Sequence, residues 1–224
     1  MASSILAIVL VFGFLAAPEN VFAAAAGKKL VIAYAAMNAR VCPLWAPRER
    51  GFFAKYGFDA ETLFVRGAPT LVAAMASNDI EVGYTGGTAV IGAVASGADL
   101  KVLSALTNRV TYDLVVRPGI KSPEDLRGKT FGVQAIGGTV WMGAILALEH
   151  LGLDPDRDKI AIIAVGDQTV LAQAVANGTI DATVLDGVQS RPLQARGFPI
   201  LAELDKARLP ILSSSIVVRD PYLQ

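Results

Sequence analysis

The hydrophobic pattern of the chain switches repeatedly between two periods. Short continuous apolar runs alternate with longer segments whose apolar residues recur at helical spacing. Residues 29–34, Lys-Leu-Val-Ile-Ala-Tyr, form a run of the kind buried on both faces of a parallel sheet. Residues 35–39 predict a loop, and 43–55 a helix that carries Trp45, Phe52 and Phe53 inward and ends at Gly57. Residues 59–65 predict a second strand. Pro69 then sits where proline is best tolerated, in the first turn of a helix running to Ser77. A third strand at 80–84, a small-residue helix to Ser96 and a fourth strand at 101–106 complete this half.

Beyond Asn108 the strand at 111–117 runs straight into Pro118-Gly119, and Ser122-Pro123-Glu124-Asp125-Leu126 is a short serine-capped helix. Residues 130–133, 159–165 and 179–185 predict strands, with helices opening at Thr139, ended by Asp154-Pro155-Asp156, and spanning 170–176. Residues 192–196, 198–204 and 214–219 close the chain. Strands and helices alternating at these lengths imply a parallel, helix-covered sheet. The pattern also echoes itself. Ala76-Ser77-Asn78-Asp79-Ile80-Glu81-Val82 and Ala176-Asn177-Gly178-Thr179-Ile180-Asp181-Ala182 both read as a helix end, a turn and a strand opening Ile-acid-small, which predicts two similar α/β lobes.

In open α/β sheets ligands bind beyond the carboxyl ends of the strands, where loops turn into helix N-termini with unpaired amides and a positive dipole. Those ends carry Met37, Asn38 and Arg40; Arg66 and Gly67; Thr85, Gly86, Gly87 and Thr88; Gln134, Gly137, Gly138 and Thr139; Asp167 and Gln168; and Asp186. Glycine lets backbone N–H groups approach a ligand, and threonine adds a hydroxyl. Arg40 and Arg66 suit an anion, and Asp167 and Asp186 suit an amino group. Gln134 ends a buried strand facing the proposed cleft, and Trp45 and Trp141 offer faces for stacking. Taken alone, each loop is also an ordinary strand-to-helix turn, and exposed arginines, capping aspartates and core tryptophans need no ligand.

Composition narrows the chemistry. The 224 residues carry zero formal net charge and no Lys/Arg cluster, so nucleic acid is excluded as the expected partner. Cys42 is the one cysteine and His150 the one histidine, the latter at a helix end far from the loops. No Gly-x-Gly-x-x-Gly, Walker loop, Gly-x-Ser-x-Gly elbow or metal-ligand spacing is present, so the expectation is binding without catalysis, cofactor or metal. The 53% hydrophobic fraction is inflated by residues 1–26. There the apolar run 5–17, the break at Pro18-Glu19-Asn20 and the small residues around Ala23 predict an export signal, although no Lys or Arg precedes the run; a retained membrane anchor is the alternative.

Four blocks carry a family resemblance. Leu44-Trp45-Ala46-Pro47-Arg48-Glu49-Arg50-Gly51-Phe52-Phe53-Ala54-Lys55-Tyr56-Gly57-Phe58-Asp59-Ala60 resembles the "x-A-x-x-x-G-F-F-x-x-x-G-L-x-V" signature of periplasmic substrate-binding proteins of the nitrate/sulfonate/taurine type, a family that includes thiamine-pyrimidine binders. Residues 76–85 are similar to its "A-x-x-x-G-x-I-D-V-G" block, with Asn78 where glycine is usual; residues 122–133 to its "S-x-x-D-L-K-G-K-x-I-G-V" block; and Asn177-Gly178-Thr179-Ile180-Asp181-Ala182 to its "G-x-I-D-A" block.

The resemblance implies a periplasmic-binding-protein-like α/β fold: two doubly wound α/β lobes joined by a hinge, with the ligand cleft between them. It places the first lobe at 27–108, the second at 109–212 and a return segment at 213–224, re-entering the first lobe through residues 214–219. It further implies an exported monomer that passes a small solute, a sulfonate, nitrate or related compound, to the permease subunits of an ABC importer. The alternatives are an enzyme of thiamine-pyrimidine synthesis, whose cysteine-rich motif and histidine do not appear here, and a sensor or scaffold on the same fold. Two departures stand out. Asp186-Gly187 replaces the family's acid-proline-aromatic, and the chain stops at Gln224, before the helices that usually complete the first lobe, which predicts a truncation and an apolar patch where those helices would pack.

Overall fold

The computed structural model describes residues 27–223; the expected export signal at 1–26 lies outside the described residues. The first half builds β1 (Lys28–Tyr34), a 3-10 turn (Ala39–Val41), α1 (Cys42–Glu49), α2 (Phe52–Lys55), β2 (Phe58–Phe64), α3 (Ala68–Ala76), β3 (Val82–Thr85), α4 (Gly87–Ala95) and β4 (Leu100–Arg109). The second builds β5 (Asp113–Val116), a 3-10 turn (Pro123–Leu126), β6 (Thr130–Val133), α5 (Thr139–His150), β7 (Ala161–Ala164), α6 (Gln168–Ala176), β8 (Ala182–Leu185), α7 (Gly187–Ala195), β9 (Ile200–Glu203) and α8 (Leu204–Ala207). β10 (Pro210–Arg219) and a last 3-10 turn (Asp220–Leu223) follow.

These strands form two five-stranded sheets, ordered β2-β1-β3-β10-β4 and β7-β6-β8-β5-β9. The orders are the same topology written twice. Each centre strand is parallel to its neighbours on one side, and each sheet takes one antiparallel strand, β10 against β3 and β5 against β8. The chain crosses between the sheets after β4 and again before β10. The two crossings lie side by side, with Val110 N donating to Leu209 O at 3.0 Å and Ser213 Oγ to Arg109 O at 2.8 Å, so one paired connection serves as the hinge.

The sequence echo marks equivalent corners of the two lobes. After α3 the chain turns through Asn78 (φ 72°), and after α6 through Gly178 (φ 82°), both left-handed. Asparagine is one of the few side chains that tolerate this region, which is why it stands in for glycine. At each corner an arginine from the antiparallel strand closes the turn: Arg219 N donates to Glu81 O at 3.3 Å and Arg117 N to Asp181 O at 2.9 Å. Arg219 also donates to Asn78 Oδ1, while Arg117 pairs with Asp181 at 2.7 Å.

Lobe two has one contiguous core around Phe131, Leu148, Leu171 and Tyr112. In lobe one the core divides across the sheet, with Leu71, Met75 and Val217 on the α3/α4 side and Ile32, Leu44 and Val218 on the α1 side. Edge strand β4 leaves Val102, Leu103 and Leu106 exposed, as α4 leaves Ile91 and Val94.

Some local expectations are corrected. The helix at 43–55 is two helices, because Gly51 adopts φ 67° and turns the chain between them. Phe52, expected inward, is 49% exposed as a result, while Trp45 and Phe53 do pack on the core. β1 is buried only over its last three residues rather than on both faces throughout. α5 stops at His150, before Asp154-Pro155-Asp156, with Gly152 at φ 74° supplying the turn. Gly87 and Gln168, expected in loops, are the first residues of α4 and α6.

Candidate functional site

The carboxyl ends of the parallel strands in both sheets point into the gap between the lobes, where a cavity of ≈ 40 Å³ lies. Its lobe-one wall includes Ala35, Asn38, Arg40, Tyr84, Thr85 and Gly86, and its lobe-two wall Gln134, Ala135, Gly138, Thr139 and Val140. The lobes touch around it. Gln134 Nε2 donates to Ala35 O at 3.1 Å, and a Cβ on Gly86 would stand 1.8 Å from Thr139 Oγ1. Gly86 is therefore required by close approach, since its φ of −82° suits any residue.

Arg40 is the most constrained residue of the cleft. Its N–H donates to Asn38 Oδ1 at 3.1 Å, and its carbonyl accepts from the Tyr84 hydroxyl at 2.6 Å. Its guanidinium lies over the ring of Tyr112, 4.2 Å from the centroid, and Nη2 donates to the Tyr112 hydroxyl. Burial holds the Arg40 pKa down to about 10, with Asp186 and Tyr84 pulling it back up, so the side chain is a full cation at neutral pH. Asp186, on the second lobe, caps α7 by accepting from Gln189 N at 3.3 Å. Burial raises its carboxyl pKa and the facing Arg40 charge lowers it. No direct Arg40–Asp186 ion pair forms among the described residues.

Around this gap buried polar atoms are left without partners: Asn38 Nδ2, Arg40 Nη1, Thr85 Oγ1 and Asp186 Oδ2. A buried, unsatisfied donor or acceptor costs about 1–3 kcal/mol, more for a charged group. Folded proteins leave few of them, and several converge on this one gap with hydrogen-bonding capacity to spare. The set holds donors (Arg40, Asn38), an acceptor (Asp186) and a hydroxyl that serves as either (Thr85).

The structure thus brings Asn38, Arg40, Thr85, Gly86, Gln134, Gly138 and Thr139 together, with Asp186 facing Arg40. Others stand apart. Met37 is 45% exposed, its sulfur receiving the Tyr34 hydroxyl at 3.5 Å, and Arg66 is exposed because it follows the edge strand β2. Gly67 packs against Ala135, with a Cβ there 3.5 Å away, and Gly87 against Leu212. Thr88 and Gly137 face a second, apolar groove of ≈ 460 Å³ between α3 and α4, which Trp141 also lines. Asp167 stands at the N-cap position of α6 without making a capping hydrogen bond, its Oδ1 unpartnered. Gln168 is wholly buried and structural: its amide bonds Val184 O at 3.4 Å and Asp186 N at 2.9 Å, which fixes the backbone of Asp186. Trp45 meets Tyr34 edge-to-face at 5.9 Å within the lobe-one core.

Tyr84, Tyr112 and the Ser213–Ser214 pair belong to the site and lay unmarked in the sequence inside predicted strands and at a strand edge. Only the aromatic character of the two tyrosines hinted at them. His150 and Cys42 are exposed, and among the described residues no group of His, Cys, Asp and Glu is placed to hold a metal ion. The arrangement is suited to holding a small polar molecule through converging donors and acceptors.

Twin sheets of like topology enclosing a cleft at their strand ends define the periplasmic-binding-protein fold, and solved structures match it. A protein from Bordetella bronchiseptica RB50 superimposes with a TM-score of 0.73 at 21% identity, over 88% of this chain and 65% of that one. The alkanesulfonate-binding protein SsuA from Xanthomonas axonopodis pv. citri, bound to MOPS, gives 0.70 at 22% identity, over 88% and 68%. At this identity the likeness is one of fold. The chain belongs to the NMT1/THI5-like family, whose model matches residues 38–205. YtlA of Bacillus subtilis (strain 168), provisionally named as a binding protein, is 26% identical over 187 residues, 81% of this chain and 56% of its own length. The chain therefore spans little more than half of that relative.

Proposed function

We propose that this protein is the solute-binding receptor of an ABC importer: an exported, monomeric, non-enzymatic protein that closes two lobes on a small polar or anionic solute and presents it to permease subunits. The observation that carries the reading is the set of partnerless buried polar atoms, Asn38 Nδ2, Arg40 Nη1, Thr85 Oγ1 and Asp186 Oδ2, gathered where the two lobes meet. Four contacts of this type, each contributing about 1.5–3 kcal/mol when one partner is charged, are enough for the ~8 kcal/mol of micromolar binding. The cavity of ≈ 40 Å³ offers roughly three water-sized positions, the scale of a nitrate or a sulfonate head group.

The sulfonate-binding relative of similar fold supports an organic sulfonate as the first candidate. Arg40 supplies the charge that such a head group needs, and Asp186 opposite it favours a solute that also carries a hydrogen-bond donor, such as an amine. The enzyme alternative in thiamine-pyrimidine synthesis goes with a cysteine-rich motif and a histidine, and neither residue type lines the cavity.

The reading is tested by thermal-shift titration with MOPS, taurine, ethanesulfonate, nitrate, methylphosphonate and an aminopyrimidine. A ligand at a hundred times its Kd stabilises the folded state by about 2.7 kcal/mol, so at least one probe raises Tm with concentration. R40Q abolishes that rise. A flat response to all of them would remove the solute-receptor reading for this class of ligand.

A further inference from the structure

We propose that Tyr112 is a positioning residue for the cleft: a second-lobe aromatic that captures the Arg40 guanidinium of the first lobe as the lobes close and sets its free Nη1 toward the solute. The two residues are far apart in sequence and sit on different lobes, Arg40 in the 3-10 turn after β1 and Tyr112 in the core of lobe two, yet the guanidinium stacks on the ring at 4.2 Å and donates to its hydroxyl.

Each partner is held by its own lobe. Tyr112 has no exposed surface and lies just beyond the crossing from β4, where its carbonyl accepts from Leu204 N at 2.9 Å. Its ring packs on Gly143 of α5 so closely that a Cβ there would stand 2.9 Å from Cδ2. The ring therefore belongs to the rigid core of lobe two and cannot follow Arg40 if the lobes part. Arg40 is anchored at both ends of its backbone by lobe-one groups, Asn38 and the Tyr84 hydroxyl. Among the described residues its head has no carboxylate in ion-pair contact, and Nη1 is buried without a partner. Among the described residues Tyr112 is thus the one side chain that both shields this cation and takes a hydrogen bond from it. A ring face is attractive to a guanidinium once water is excluded, so the contact is made in full only in the closed arrangement. Tyr112 links closure to the presentation of Arg40 without being one of the residues that line the cavity.

The affinity arm of the test rests on the solute-receptor reading; the lobe-separation arm does not. In a C42S/K55C/E149C background, labels on the exposed positions 55 and 149 report the separation of the lobes, since one lies on α2 and the other near the end of α5. Distance distributions are recorded in buffer and with MOPS, ethanesulfonate and nitrate in turn, for the background and for Y112F, R40Q and their combination. Y112F keeps the packed ring and removes only the hydroxyl, and R40K, which keeps the charge without the planar fork, is a second probe that spares the lobe-two core. The expected result is that Y112F, R40K and R40Q each move the population to longer separations, and that Y112F adds nothing once Arg40 is replaced. For any probe that binds, Kd rises roughly tenfold or more in Y112F, the size of a lost hydrogen bond to a charged group. A distribution unchanged by Y112F in every condition, or an effect of Y112F that adds in full to that of R40Q, overturns the proposal. If no probe binds, the solute reading fails while the distributions in buffer still decide this one.

Discussion

Gly86 is the position where a single methyl group reports on lobe closure. Its backbone, at φ −82° and ψ 156°, accepts alanine without strain, so G86A acts only through contacts. The added Cβ would stand 1.8 Å from Thr139 Oγ1, 3.0 Å from Thr139 Cβ and 3.1 Å from Ser213 O. Rotating the threonine hydroxyl away relieves the first contact and leaves the second. Carbon atoms rest at about 3.5–4.0 Å, so the lobes must part by roughly 0.5–1 Å along this line. Such overpacking costs about 1–3 kcal/mol. The Thr139 part of it is felt only when the lobes are shut, because Gly86 and Thr139 belong to different lobes.

The Ser213 contact lies within lobe one and needs a shift of a few tenths of an ångström in both states. G86A is therefore expected to weaken solute binding by about 5- to 150-fold at ~1.4 kcal/mol per decade, measured by calorimetry with the best binder of the panel. Its unfolding free energy in urea should stay within the ~0.5 kcal/mol typical of a mild substitution. The double variant G86A/T139A, lacking the hydroxyl, recovers part of the affinity. Unchanged binding in G86A, or a loss of binding matched by an equal loss of global stability, would refute the reasoning.

Other substitutions probe the framework. In G132A a Cβ would meet Ile180 Cδ1 at 2.4 Å and Leu171 Cδ2 at 3.1 Å inside the lobe-two core, so urea denaturation should show a loss of about 1–3 kcal/mol. G178A forces alanine to φ 82° beside Arg117, and the same assay should show about 1–2 kcal/mol lost. Asp158 has its pKa held down to about 2, first by the hydrogen bond from Arg157 and next by that from the backbone of Asp154. A carboxyl lowered in the folded state stabilises above the ordinary carboxylate pKa, and this is lost as pH falls toward about 2. D158N should therefore flatten the acid side of the stability–pH curve relative to the unsubstituted protein, and identical curves would exclude the role.

The legible parts of this protein are those written in local chemistry. The echo at Asn78 and Gly178 was visible because a left-handed turn after a helix admits few residue types, and both lobes use the same corner. The loops at the strand ends were visible because strand-to-helix turns carry glycine, threonine and capping residues, which is how Asn38, Thr85, Gly86, Gln134 and Thr139 reach the cavity wall. What stayed hidden depends on approach in three dimensions. Gln168 reads as a loop residue until its amide is seen holding the Asp186 backbone. Tyr112 sits inside a predicted strand, and its meaning comes from Arg40, 72 positions away across the cleft. The exposure of Phe52 follows from one left-handed glycine that splits an otherwise continuous helical pattern.

The most direct measurement is the recovery of a bound solute. The unsubstituted protein and R40Q are equilibrated with the strongest probe, freed of excess and weighed by native mass spectrometry, and the released small molecule is then identified after denaturation. The account predicts one equivalent on the unsubstituted chain, none retained on R40Q, and a released molecule identical to the one added. A chain that retains no probe, or that returns a chemically altered one, would contradict it.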